Sequence, residues 1–335
     1  MSDLQPLTPE AGVERFLRDY QTGVRDSTFR KAKSRLSFFL EWCDEVAEIT
    51  DLNDLDGRIL SDFVAWRREQ IAAITLQKNL STVRSALRFW SDIEAVTEGL
   101  AEKLHSPTLP DGAESRDEHL DAERAEAILD HLDRYEHASR RHAMLALFWR
   151  TGMRRSALRS LDLGDLRPDD HALVLKHRPD EDTKLKNGEH GERWVYLGPI
   201  WYQVVDEYAA ANRIDRTDEF GREPLFTTEK GRASGTSLYD WSNRVTHPCE
   251  IGECPHDRDP ADCEARESDG ASKCPSARSP HDIRRGAITH HLNEGVSPDT
   301  VSERMDVSLD VLYQHYDART PREKMTVRKG DLEAI

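Results

Sequence analysis

Lysine is scarce in this 335-residue sequence, 11 residues against 36 arginines. Carboxylates outnumber the two together, 63 to 47, for a formal charge of 47 − 63 = −16. That acidity excludes a uniformly basic nucleic-acid-binding surface, so any DNA face must be built from local charge. Excess carboxylate with little lysine also suits a protein working in concentrated salt, where net charge maintains solubility. A GC-rich genome explains the arginine but not the acidity, and a halophilic source is the expectation. No stretch approaches the ~20 consecutive apolar residues that span a bilayer. The opening MSDLQPLTPEAG holds neither a basic patch nor an apolar run, so a cytoplasmic protein without a secretion leader is expected. Apolar residues make up only 37%, yet the length still allows about two domains, each able to bury a core.

Cysteine is nearly absent outside one segment. Cys43 falls on an apolar helical stripe and reads as a small core residue. The other four, Cys249, Cys254, Cys263 and Cys274, lie in CEIGECPHDRDPADCEARESDGASKC. These 26 residues show no apolar period, so a hydrophobic core cannot organise them. Four thiolates around a structural zinc ion would, with His256 able to replace one ligand. The spacings are looser than a CxxC pair. Disulfides, disfavoured in a reducing compartment, and an unstructured acidic insertion are the other readings.

Residues 8–104 read as helices throughout. Thr28 is placed to cap a helix whose buried face carries Leu36, Phe39, Leu40, Cys43, Val46 and Ala47. Further helices carry Ile59, Phe63 and Trp66, then Leu76, Leu80, Val83, Leu87 and Trp90. Residues 105–118, rich in Pro, Gly and acid, form the expected linker. Residues 119–335 form the second domain, with the Cys-rich insertion at 249–274. It opens with helices and then shows β signals at 172–177 and 192–199, a hairpin with a long polar loop. Helical patterns return, the last opening with Ser297 as cap and Pro298 at the first position.

Four features of the second domain carry chemistry. WRTGMRRSALRSLDLGDL (149–166) breaks at Thr151-Gly152 and places Arg154 at the start of a helix. TKLKNGEHGER (183–193) presents Lys184 and Lys186 on the hairpin loop. SPHDIRRGAITHHLNEGVS (279–297) sets His281 and Arg284 one helical turn apart. MDVSLDVLYQHYD (305–317) ends on Tyr313 and Tyr316. Each alone is a common surface pattern, and their order gives them meaning.

Arginine, hairpin lysine, HxxR and a tyrosine 32 residues beyond Arg284 resemble the tyrosine recombinase (phage integrase) family over nearly the whole chain. The resemblance implies a mainly α fold: an N-terminal helical, SAM-like core-binding bundle and an α+β catalytic domain with a small antiparallel sheet. It implies site-specific cleavage and rejoining of double-stranded DNA through a 3′-phosphotyrosyl link, with other protomers in a tetrameric synapse and no catalytic cofactor. Arg154 and Arg284 would grip the non-bridging phosphate oxygens and hold the charge that grows in the transition state. A tyrosine hydroxyl ionises near ~10 in water, so a nucleophilic Tyr316 needs those cations beside it. His281 would orient the phosphate or move the tyrosine proton. Lys186, preferred to Lys184 because it lies nearer the Asn-Gly turn, would protonate the leaving 5′-oxygen. Tyr313, following Val311-Leu312, is expected to anchor its helix against the core.

Three departures stand out. Ala157 replaces an acidic residue usual three positions after the first arginine. Val307, in a Met305-Asp306-Val307 run matching Leu-Gly-His, cannot donate to phosphate. Arg285 follows Arg284 where His is common. Rescue by His315 or Arg285 is one expectation, and an inert DNA-binding protein of the same fold is another. A topoisomerase of type IB shares the chemistry without needing a specific site. Basic residues supporting a DNA face are Arg25, Arg30, Lys31, Lys33 and Arg35, then Lys78, Arg84 and Arg88, then Arg154, Arg155 and Arg159. A clamp of two domains around DNA would turn these inward.

Overall fold

A computed structural model describes residues 4–24, 26–108, 118–317 and 319–333. It divides into two compact units, Met1–Arg116 and Asp117–Ile335. Most of the expected linker and Arg25 lie outside the described residues.

In the first unit, α1 (Pro9–Gln21), α2 (Asp26–Glu45), α3 (Gly57–Arg68), α4 (Ala73–Asp92) and the short α5 (Leu100–Lys103) enclose one apolar core. Its centre is aromatic. Phe39 meets Phe63 edge-on at 5.3 Å, and the Trp90 indole donates to the Gly12 carbonyl at 2.8 Å. Thr8 and Asp56 cap α1 and α3. Thr28 does not stand before the helix: α2 begins at Asp26, which supplies an acidic group in its first turn, and Thr28 lies inside that turn.

The second unit opens with α6 (Ala122–Tyr135) and α7 (Arg140–Thr151), capped by Asp121 and Ser139, then α8 (Arg155–Ser160). Strands β1 (Leu166–Arg167), β2 (Ala172–Leu175) and β3 (Arg193–Tyr196) form an antiparallel sheet in that order, Leu173 pairing with Leu166 and Val195. After α9 (Pro199–Glu207), β4 (Thr227–Thr228) and β5 (Gly231–Arg232) form a second small hairpin. Helices α10 (Gly235–Val245), α11 (Pro280–Asn293), α12 (Pro298–Met305), α13 (Leu309–Val311) and α14 (Pro321–Glu333) complete the chain.

Much of the arginine is structural. Asp162 accepts from Arg222 and Arg232, and Asp165 from Arg178 at 2.6 Å, while Arg222 also reaches Thr183 Oγ1 at 2.9 Å. These bonds satisfy two buried carboxylates and pin the base of the β2–β3 loop. Helix α11 lies so close to the chain near residue 120 that a Cβ on Gly286 would stand 1.8 Å from the Leu120 carbonyl oxygen.

The Cys-rich insertion is short turns stapled by arginine. Arg244 donates to the carbonyls of Arg266, Glu267 and Ser268, Arg124 to those of Thr246 and Ser276, and His247 Nε2 lies 2.8 Å from the Ala271 oxygen. The expected four-thiolate centre is not brought together. Cys249, Cys254, Cys263 and Cys274 are free thiols, and among the described residues only Cys249 joins a group of three possible ligands, with His247 and Glu250. Glu250 is already held by Arg141 and Arg266, and cations there oppose a metal ion. Guanidinium-to-carbonyl bonds hold this segment among the described residues.

Candidate active site

Residues 149–154 turn sharply because Gly152 ends α7 in the left-handed region, φ 56°. A side chain there is doubly disfavoured, since a Cβ would lie 2.4 Å from Met305 Sδ. The turn leaves Arg154 as the N-cap of α8. Helix α11 starts with a capping box between Ser279 and Asp282 and carries His281 and Arg284. Tyr316 ends a π-helical turn, Leu312–Tyr316, seated on a small apolar cluster of Ile288, Leu292, Val301, Met305, Val307 and Leu312.

These elements enclose a cleft of about 530 Å³ within the second unit. Arg154, Lys186, His281, Arg284 and Tyr316 all line it, joined by Arg155, Arg159 and Tyr239. Lys184 is exposed and is not among the lining residues.

Arg284 is 1% exposed. Its Nη1 donates to the carbonyls of Gly152 (2.6 Å) and Met305 (2.7 Å), while Nε and Nη2 make no hydrogen bond of good geometry. Its Cζ lies 5.1 Å from the Tyr316 ring centroid. Burial pulls this guanidinium down to about 10, Arg154 pushing the same way and Tyr316 opposing. It therefore stays cationic at neutral pH, a buried cation beside the Tyr316 hydroxyl, which a looser hydrogen bond also ties to it. The His281 ring lies tilted, at 55°, with its centroid 5.4 Å from that of Tyr316. Partial desolvation against the cleft lowers its pKa, although the residue keeps solvent access, with Arg284, Lys186 and Arg285 acting in the same direction and Asp282 against them.

Two expectations about the tyrosines need correcting. Tyr313 is 52% exposed and anchors nothing, whereas Tyr316 is 7% exposed and faces the cleft, not an open polar exit. The π-helical turn shifts the register, so Leu312 takes the buried position expected of Tyr313. Val307 is 4% exposed and packs in the apolar cluster; Ala157 is buried as well. Arg285 is buried and does not line the cleft. The His315 side chain lies outside the described residues.

Asp306 was not singled out from sequence. It caps α12 in the left-handed region, φ 55°, and accepts from Arg154 Nη1 at 2.5 Å and Asn187 Nδ2 at 2.7 Å. The signal available was an Asp, which tolerates that conformation, at the position matched to Gly. On α4 of the first unit, Arg84 donates to the Leu104 carbonyl and Ser106, and Arg88 pairs with Glu102. The four described basic residues on α2 are exposed or half-buried.

The fold is similar to that of solved phage and transposon integrases. It matches a Tn1549 transposon integrase in complex with a circular intermediate DNA at TM-score 0.67, covering 98% of this chain and 100% of that one at 12% identity. It matches a lambda integrase dimer bound to a COC′ core site at 0.66, over 93% and 78%, at 13% identity. Residues 13–92 match the family described as Phage integrase, N-terminal SAM-like domain. Tyrosine recombinase XerD of Vibrio cholerae serotype O1 is 22% identical over 319 residues, 93% of this chain and 94% of the relative.

Proposed function

We propose that this protein is a tyrosine-type site-specific DNA recombinase that cleaves and rejoins strands through Tyr316. One observation carries it: a single cleft is lined by Arg154, Arg284, Lys186, His281 and the buried Tyr316. Their chemistry is complementary to a phosphodiester. Arg154 and Arg284 hold the non-bridging oxygens and stabilise the added transition-state charge. Tyr316 Oη attacks phosphorus, its proton passing to His281 or solvent, and the bond to the 5′-oxygen breaks as Lys186 protonates that oxygen. A 5′-hydroxyl of another strand reverses these steps and releases Tyr316, so each bond energy is conserved. Side chains supply both the charge neutralisation and the proton donor.

Double-stranded DNA and further protomers are the partners that fit this chemistry. Lambda integrase is known both as a dimer on a core site and as a tetramer on a Holliday junction, and a tetrameric synapse is proposed here. Action on DNA implies a cytoplasmic location; no helix among the described residues is long and apolar enough to cross a membrane. The acidic surface favours a halophilic source.

The test is covalent trapping on nicked suicide DNA carrying candidate sites beside the gene. Tyr316→Phe should abolish the adduct and leave duplex affinity nearly unchanged, because only the attacking oxygen is lost. Tyr313→Phe should stay within roughly tenfold, about 1.4 kcal/mol of barrier. An adduct surviving Tyr316→Phe would refute the assignment. Wild-type protein that binds DNA without ever forming an adduct would favour the inert DNA-binding alternative, and relaxation without site dependence would favour a topoisomerase.

A further inference from the structure

The Asp306 carboxylate stands where three parts of the cleft meet. One oxygen takes Arg154 Nη1 at 2.5 Å, and the other takes Asn187 Nδ2 at 2.7 Å. Asn187 follows Lys186 directly on the β2–β3 loop. The residue before Asp306 gives its carbonyl to Arg284 at 2.7 Å, and the turn beginning six residues later ends on Tyr316. Both elements whose expected polar residue is missing border this point, for Ala157 sits on α8 behind Arg154 and Val307 is turned into the apolar cluster.

We infer that Asp306 is a positioning residue, holding the phosphate-gripping Arg154 and the loop of the general acid Lys186 in one register. This rests on the recombinase function proposed above. The bond to Arg154 engages Nη1, leaving the remaining guanidinium donors for an anion in the cleft that Arg154 lines. A charge-assisted bond this short fixes a side chain that would otherwise sample several rotamers. Through Asn187 the same carboxylate restrains the far part of a loop whose base is held by its strands, by Arg159, Arg178 and Arg222, and by bonds linking His177 to Leu185 and Glu192. Asp306 is not among the residues lining the cleft; it acts by pre-organising two that are. The left-handed backbone at 306 aims the carboxylate inward while Val307 covers the apolar cluster.

Asp306→Gly keeps the backbone comfortable at positive φ and removes both bonds. Single-turnover cleavage of suicide DNA should fall at least about tenfold, with DNA affinity within about twofold. Asp306→Asn retains an acceptor for Arg154 and a partner for Asn187, and should recover part of the rate. Asp306→Gly combined with Asn187→Ala should be little worse than Asp306→Gly alone, because the loop bond is already gone. An unchanged or faster rate in Asp306→Gly would overturn the inference, the faster one showing a carboxylate that merely blocks the phosphate. Amide exchange read on the DNA-free protein keeps the question open to test where the wild type forms no adduct, which would be a failure of the recombinase reading alone. Residues 183–192 should exchange faster in Asp306→Gly than in the wild type, and equal protection would overturn the inference.

Discussion

His291 lies on α11, 8% exposed, with its Nδ1–H donating to the Ala287 carbonyl at 2.7 Å. Burial pushes its pKa down to about 4, a displacement only partly opposed by that hydrogen bond. His142 and His247 are lowered by burial as well. The unfolded chain, with ordinary histidines near ~6.5, then binds more protons than the folded one as pH falls below that value. Stability from these groups is present above about pH 6.5 and lost on acidification towards about 4. For His291 alone the loss is on the order of 2 kcal/mol at about pH 5. His291→Asn keeps a donor for Ala287 and does not titrate, so its melting temperature should fall less than the wild type's between pH 7 and 5. Equal falls would contradict the assignment. His137, between Asp133 and Glu207, has the opposite sign: its raised pKa gives a contribution present below about 6.5 and lost at higher pH, and its exposure keeps it small.

Among the elements, the insertion at 249–274 offers the sharpest test, because sequence and structure give it different supports. If arginine bonds to carbonyls hold it, Arg244→Ala should expose the segment to protease while a strong chelator leaves wild-type protection intact. Purified protein carrying about one zinc equivalent, lost together with protection in Cys254→Ser, would restore the four-thiolate reading. The contrast shows what sequence could and could not convey. Helix periodicity located α3, α4 and α12, and Ser297 caps α12 as expected. Arg154 and the His281–Arg284 pair were legible because helix starts and one-turn spacings are local. Asp306 was not, since its partner Arg154 lies 152 residues away and the carboxylate is aimed by a positive φ. The burial of Tyr316 in place of Tyr313 was hidden for a similar reason, a π-helical register that residue spacing does not announce.

For the whole molecule, the net charge of −16 sits on a chain whose candidate cleft collects cations. Much arginine elsewhere is neutralised internally, as at Asp162 and Asp165, so the acidic excess falls on the surface. Phosphate contacts weaken steeply with salt, and a heavily carboxylated surface that takes up cations on binding would offset this. DNA binding should persist above about 1 M KCl. Folding and binding that succeed only in dilute buffer would contradict adaptation to salt. The central claim, however, is covalent chemistry at one oxygen. Trapped complexes on nicked DNA, digested with nuclease and protease and mapped by mass spectrometry, should place the nucleotide remnant on the peptide containing Tyr316, as a 3′-phosphotyrosine. A remnant on Tyr313 or any other side chain, or a linkage to the 5′ end, would contradict the account.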